Sequence, residues 1–245
     1  MNTRSESVAR GRDAPISRSL IVISCLLGPL LVYAQIPDFN GVWIGAQGSR
    51  VLPAPQPRPR GGGERMRPQL TSEARQIQED YDLLTDDPGY ECSPSSISRS
   101  WANPTPIEIE QQDGIVILRY EFMDVVRMVY LDGRNHSGAP SNVVGNSSGR
   151  YDGATLVIDS VGFTPSYIST VTGIPQTETL RAAERLILNE DGQSFQLEIT
   201  FEDPATFLSP WTTRRTYVRA PDLELLEFGC VLEDAGYEDF PERTP

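Results

Sequence analysis

Alternation of apolar and polar side chains is the feature that most narrows what this chain can become. Phe195, Leu197, Ile199 and Phe201 share one parity while Gln196, Glu198, Thr200 and Glu202 take the other, and a period of two sends successive side chains to opposite faces of a strand. Leu180, Ala182, Leu186 and Leu188 share a parity in the same way. From Pro106 onward, strand-length segments recur between turn signals. Ile107 to Glu110 and Ile115 to Phe122 flank Gln112-Asp113-Gly114, and Val125 to Leu131 follows Met123-Asp124. Asp152-Gly153 marks a second hairpin and Asn189-Glu190-Asp191-Gly192 a third. An Asp-Gly pair supplies the positive φ angles of tight hairpins, so antiparallel neighbours are expected. Trp211 to Arg219 and Leu223 to Cys230 complete the series, and Val42 to Gly45 opens it. About eight to nine such strands with short links close into a barrel, which leaves no edge exposed. The expected fold is all-β, an antiparallel up-and-down β-barrel with one short N-terminal helix. That helix starts at Thr71-Ser72-Glu73-Ala74, where a capping residue precedes an early acid, and ends near Leu84.

The first 34 residues read as a secretory signal peptide, with Arg4, Arg10, Arg12 and Arg18 ahead of the apolar run Leu20 to Leu31 and then Val32-Tyr33-Ala34. Cleavage is expected after Ala34, leaving 35–245 as a single barrel domain with a Pro/Gly-rich loop at 53–68. The alternative, an uncleaved anchor, needs about 20 apolar residues, and the run is shorter. No later stretch is long and apolar enough to span a bilayer, so no stable membrane insertion is expected. Cys25 lies inside the signal, so only Cys92 and Cys230 remain. In the periplasm or outside the cell the two form a disulfide. The rival reading, a redox or metal pair, lacks a Cys-x-x-Cys spacing and has a single histidine to draw on.

The whole chain carries 21 basic against 34 acidic residues; the signal takes four arginines, one Asp and one Glu, leaving 17 against 32, a net of −15. Such a surface repels phosphate backbones, which excludes nucleic acid as a partner. Every basic residue is arginine, which excludes Schiff-base chemistry and a P-loop lysine.

Two resemblances sharpen the fold. Asp38-Phe39-Asn40-Gly41-Val42-Trp43 resembles the opening of lipocalin-like (calycin-type) barrels, where Gly-x-Trp starts the first strand and the indole plugs the base against an arginine from a late strand. Arg214 and Arg215 stand where that arginine is expected; the alternative is an ordinary core tryptophan. The mature chain also resembles an uncharacterised family of secreted bacterial proteins. The matching stretches include Leu84 to Cys92, Pro106 to Ile109, Tyr130 to His136, Gly149 to Asp159, Glu184-Arg185, Pro210-Trp211 and Leu225 to Cys230. Relatives carry a second histidine where this chain has Gln176, so a two-histidine metal or catalytic pair would be broken here. No metal and no cofactor are expected.

Candidate chemistry starts from His136, the single histidine, which closes Tyr130-Leu131-Asp132-Gly133-Arg134-Asn135-His136. In a catalytic reading His136 is general acid or base, Asp132 or Asp159 fixes its tautomer and Arg134 steadies an oxyanion. Such a site would run a cofactor-independent isomerisation, elimination or cyclisation. A serine-hydrolase variant, ranked below that one, would draw on Ser137, Ser147 or Ser148 beside His136. Parity singles out Glu184 on the side of Leu180 to Leu188, Asp159 beside Val157, Val161 and Phe163, and Arg215 beside Trp211 and Tyr217. A carboxylate on an apolar face must be paired, protonated or solvated. These residues, with Tyr130, either form internal ion pairs or line a pocket for a small amphipathic or hydrophobic molecule. A ligand-binding barrel, exported to the periplasm or the medium, is the first expectation. The enzyme is the alternative, and a filled barrel acting only as an interaction module is the third.

Overall fold

The Asp-Gly turns at Gly114, Gly153 and Gly192 each join two antiparallel strands, with all three glycines at positive φ. The computed structural model describes Met1 and residues 36–46, 67–94, 96–133 and 139–231. The strands are β1 (Gly41–Gly45), β2 (Ile107–Gln112), β3 (Ile115–Tyr120), β4 (Val125–Tyr130), β5 (Asn146–Asp152), β6 (Thr155–Val161), β7 (Ser166–Ser169), β8 (Ile174–Gln176), β9 (Arg181–Leu188), β10 (Ser194–Glu202) and β11 (Trp211–Arg219). Two helices accompany them, α1 (Ser72–Asp80) and α2 (Ile97–Ala102). Nine strands close into a barrel in the order β1-β11-β10-β9-β6-β5-β4-β3-β2, and β7 and β8 pair separately as a hairpin.

The barrel departs from the expected up-and-down pattern in one place. β4 and β5 run parallel and share two register pairs, Val129 with Ser147 and Tyr130 with Ser148. The segment opened by Asp132-Gly133 is therefore a crossover back to the other end of the barrel, not a tight hairpin. Gly149 belongs to this seam, because a Cβ there would come within 2.7 Å of the Val129 Cγ1. Leu223 to Cys230, expected as a strand, is an extended tail outside the barrel. It is tied by Leu226 N to Glu121 Oε2 and Phe228 N to Asp124 Oδ1, both at 3.0 Å, and by the Cys92–Cys230 disulfide, whose Cα atoms are 5.8 Å apart. The signal region and most of the 53–68 loop lie outside the described residues.

At the end of the barrel formed by the tight turns, Trp43 is fully buried against Phe195, with ring centroids 4.8 Å apart, and its Nε1 donates to Phe39 O at 2.8 Å. The arginine over the Trp43 ring is Arg219, at 4.4 Å, not Arg214 or Arg215. Strand register explains the difference: β1 pairs antiparallel with β11 so that Trp43 stands opposite Arg219. Arg219 also donates to Gly192 O, Asn40 O and Asp38 O at 2.6, 2.5 and 2.6 Å, which fastens the chain entry to the closing strand. Arg214 sits on the outer face, paired with Glu198.

The opposite end is covered by chain segments outside the wall. Thr71 caps α1 by accepting from Ala74 N at 3.1 Å and donates to Ala205 O at 2.8 Å, joining the helix to the β10–β11 connection. The helix ends at Asp80, earlier than the sequence suggests, and Tyr81 turns away in an extended conformation. α2, which periodicity did not reveal, is capped by Ser96 and buries Ile97, Ser100 and Trp101. Its six residues are too few to hold a helix alone, so packing fixes it.

Candidate functional site

β9 alternates as expected, and its inward face carries Ala182, Glu184 and Leu186. Glu184 is fully buried among apolar neighbours, Ile158 and Ile199 standing opposite it on the flanking strands. An unpaired carboxylate there would be prohibitively costly. Arg127, inward on β4 between Val125 and Val129, supplies the partner. Its Nη2 donates to Glu184 Oε2 at 2.6 Å and its Nη1 to Oε1 at 3.1 Å, a bidentate fork. Nη1 also reaches Tyr120 OH at 3.0 Å, and Nη2 reaches Ser147 Oγ at 3.0 Å and Ser160 Oγ at 3.2 Å. Burial opposes the arginine's charge, but the Coulombic pull of Glu184 and the hydrogen bonds to Glu184 and Tyr120 outweigh it and push its pKa up. The guanidinium therefore stays protonated at every physiological pH.

Trp101 completes the cluster from above. Its Nε1 donates to Glu184 Oε1 at 2.5 Å. Its ring lies 5.1 Å from Tyr120, 5.2 Å from Tyr217 and 6.4 Å from Phe195, all edge-on. Tyr217 OH donates to the Trp101 carbonyl, anchoring the helix to β11. Burial pushes the phenols of Tyr120 and Tyr217 up, so both are neutral, Tyr120 accepting from Arg127 and Tyr217 donating to Trp101. Among the described residues, Arg127 Nε and Ser100 Oγ are buried side-chain polar atoms with no hydrogen-bond partner.

The sequence-selected residues separate into those that face this cluster and those that do not. Glu184 and Tyr217 are inside, with Tyr217 stacked on Phe195 at 5.0 Å. Arg215 pairs across from the inward Leu197 but is exposed, and Trp211 is half-buried against Phe201 and Phe207 at 5.6 and 5.8 Å. Asp159 points outward and pairs with Arg150 at 3.2 Å, both groups more than half exposed. The parity argument fails there because Val157 is buried although it lies on the outward side; the inward face is Leu156, Ile158 and Ser160. Tyr130 shares the outer parity of Met128, its hydroxyl 3.6 Å from that sulfur. Asp132 is exposed, and Arg134 and His136 lie outside the described residues. Gln176 is buried and donates to Val143 O and Thr164 O, both at 2.9 Å. It therefore ties the crossover to the segment after β6.

Sequence reasoning missed Arg127, Trp101, Tyr120, Ser147 and Ser160 as a group. Arg127 was accessible, since it shares the parity of Val125 and Val129. Trp101 left no periodic signal. Two concavities of about 210 and 410 Å³ open on the outer face of β6, β9 and β10, where both are lined by Val161, Arg181 and Glu202. They are shallow, and the barrel interior carries the denser set of convergent polar groups. Among the described residues no cluster of three or more His, Cys, Asp or Glu could hold a metal, and no helix is long and apolar enough to cross a membrane. No family model matches the chain, and no curated protein matches it.

Proposed function

We propose that the protein is an exported, lipocalin-like binding protein that holds a small amphipathic molecule inside its barrel. The observation that carries this reading is the polar cluster of Arg127, Glu184, Tyr120, Ser147 and Ser160 converging inside an apolar barrel, beneath a helix that is not part of the wall. Apolar walls with a few convergent polar groups are the usual makeup of a small-molecule site. The interior is filled by the chain's own side chains in this state, so entry of a ligand requires α2 to move. The disulfide supports a final location in an oxidising compartment, and the mature protein would begin at Gln35.

Native mass spectrometry of protein isolated from its own host tests the reading. The expected result is a retained small molecule that Glu184→Gln protein, still folded, no longer carries. A ligand-free protein whose melting temperature responds to no amphipathic compound would instead identify a solid barrel serving as an interaction module. The catalytic alternative, with His136, Asp132 and Arg134, has its own discriminator: His136→Ala leaves ligand retention unchanged if binding is the function. Loss of a chemical conversion in that variant would move the function to the loop.

A further inference from the structure

Within that binding reading, which this inference rests on, the structure points to the class of molecule. We propose that the cradle holding Trp101 is the ligand site and that the indole is its built-in occupant, displaced by a flat aromatic molecule bearing one N–H or O–H donor. Tyr120, Glu184, Phe195 and Tyr217 come from β3, β9, β10 and β11, all strands of the wall. Only the indole comes from elsewhere. Its ring meets three aromatic edges and its one donor meets the Glu184 carboxylate at 2.5 Å. A ring with a single donor satisfies that arrangement; an anionic ring would face the Glu184 carboxylate.

The seat of α2 is also incompletely satisfied. Ser100 Oγ on the helix and Arg127 Nε behind it are both buried without a partner, and each such group weakens the closed state relative to one in which it is hydrated or bonded. A six-residue helix has little cohesion of its own. The closed form is held by Trp101 in its cradle, the buried Ile97, the Tyr217 bond to the Trp101 carbonyl, the Ser96 bond to Ile168 O and Arg99 over the Phe122 ring, and the indole is the part of that seat which a free ring can replace. An external ring competes with an internal one of the same kind, so its apparent affinity is the intrinsic affinity multiplied by the open fraction.

The test uses the full exported protein with indole and 1-methylindole as probes. Indole should bind the wild type weakly while raising hydrogen exchange of residues 97–102. It should bind Trp101→Ala on the order of 100-fold more tightly, because the competing side chain is gone. 1-Methylindole, which keeps the ring and loses the donor, should bind at least about 10-fold more weakly than indole to either form. Should Trp101→Ala fail to fold, Trp101→Phe, which weakens the seat by removing the donor, must bind indole more tightly than the wild type. The proposal is overturned if indole binds only the truncated variant, if the wild type binds it with α2 still protected, or if the two probes bind alike. Protein from the host that retains a ligand of another class with α2 seated would defeat this inference and leave the binding reading standing; protein that retains nothing and responds to no probe would defeat both.

Discussion

The two sides of the barrel are held shut by different forces. β10 shares eight register pairs with β9 and eight with β11, so that wall is secured by a continuous antiparallel ladder. The parallel seam between β4 and β5 has two. What the backbone omits there, one side chain supplies: Arg127 of β4 reaches Ser147 on β5, Ser160 on β6 and Glu184 on β9. The lesson is that a buried charge can serve as a clasp where strand pairing is short. The clasp also places the interior's polar groups behind the shortest ladder of the barrel, two register pairs against three on either side of β1.

The largest way to break this comparison is to cut the disulfide. It closes a sequence separation of 138 residues, and the chain-entropy estimate for such a loop is roughly 5 kcal/mol. Reduction should lower the denaturation midpoint, and hydrogen exchange in the reduced protein should lose β4 and β5 before β9 and β10. Simultaneous loss would show that seam and wall are one cooperative unit.

Next in size is the clasp itself. Arg127→Met leaves Glu184 buried and unpaired, a change expected to cost about 3–5 kcal/mol in urea unfolding. Arg214→Ala, which removes a mostly exposed partner of Glu198 on the wall, should cost no more than about 1 kcal/mol. The double variant Arg127→Met with Glu184→Met should recover most of the loss, since a buried pair replaced by apolar groups of similar volume is often neutral. If it does not, the pair contributes more than mutual neutralisation.

A smaller wedge acts on the same seam. Gly149→Ala places a methyl 2.7 Å from Val129 Cγ1 and 3.2 Å from the Val157 carbonyl. Overpacking of this kind should cost about 1–3 kcal/mol, read as a lowered midpoint with exchange rising first at β5. Alkaline titration has the mildest effect near neutrality. Burial raises the pKa of Tyr120 and Tyr217 in the folded protein, so each holds its proton more tightly there than in the unfolded chain. Their contribution is fully present below about pH 10 and is lost as pH rises beyond it. Phenolate absorbance should therefore show these two tyrosines ionising only on unfolding; titration in the folded state would mean that the cluster is open to water.

Much of the wall was legible because it obeys local rules. The inward face of β9 and β10, the three Asp-Gly hairpins and the Cys92–Cys230 pairing all follow from period, turn chemistry and a count of cysteines. Glu184 stood out for the same reason, as a carboxylate on an apolar parity. Asp159 misled because β6 is buried on both faces over Thr155 to Ile158, and parity loses its meaning when both sides are covered. Arg215 kept the inward parity yet stayed exposed, since register alone does not say whether anything lies over a side chain.

Residue order by itself determined that this chain becomes a mostly antiparallel β-barrel of about nine strands, because alternation and tight turns are properties of neighbouring residues. Only the tertiary structure decided that β5 pairs parallel with β4, that Arg219 and not an earlier arginine covers Trp43, and that Arg127 and Trp101 meet at Glu184. Those contacts join residues 57, 83 and more than 170 positions apart. Nothing local records such distances; they are set by how the sheet curls and by which buried charge must find its opposite.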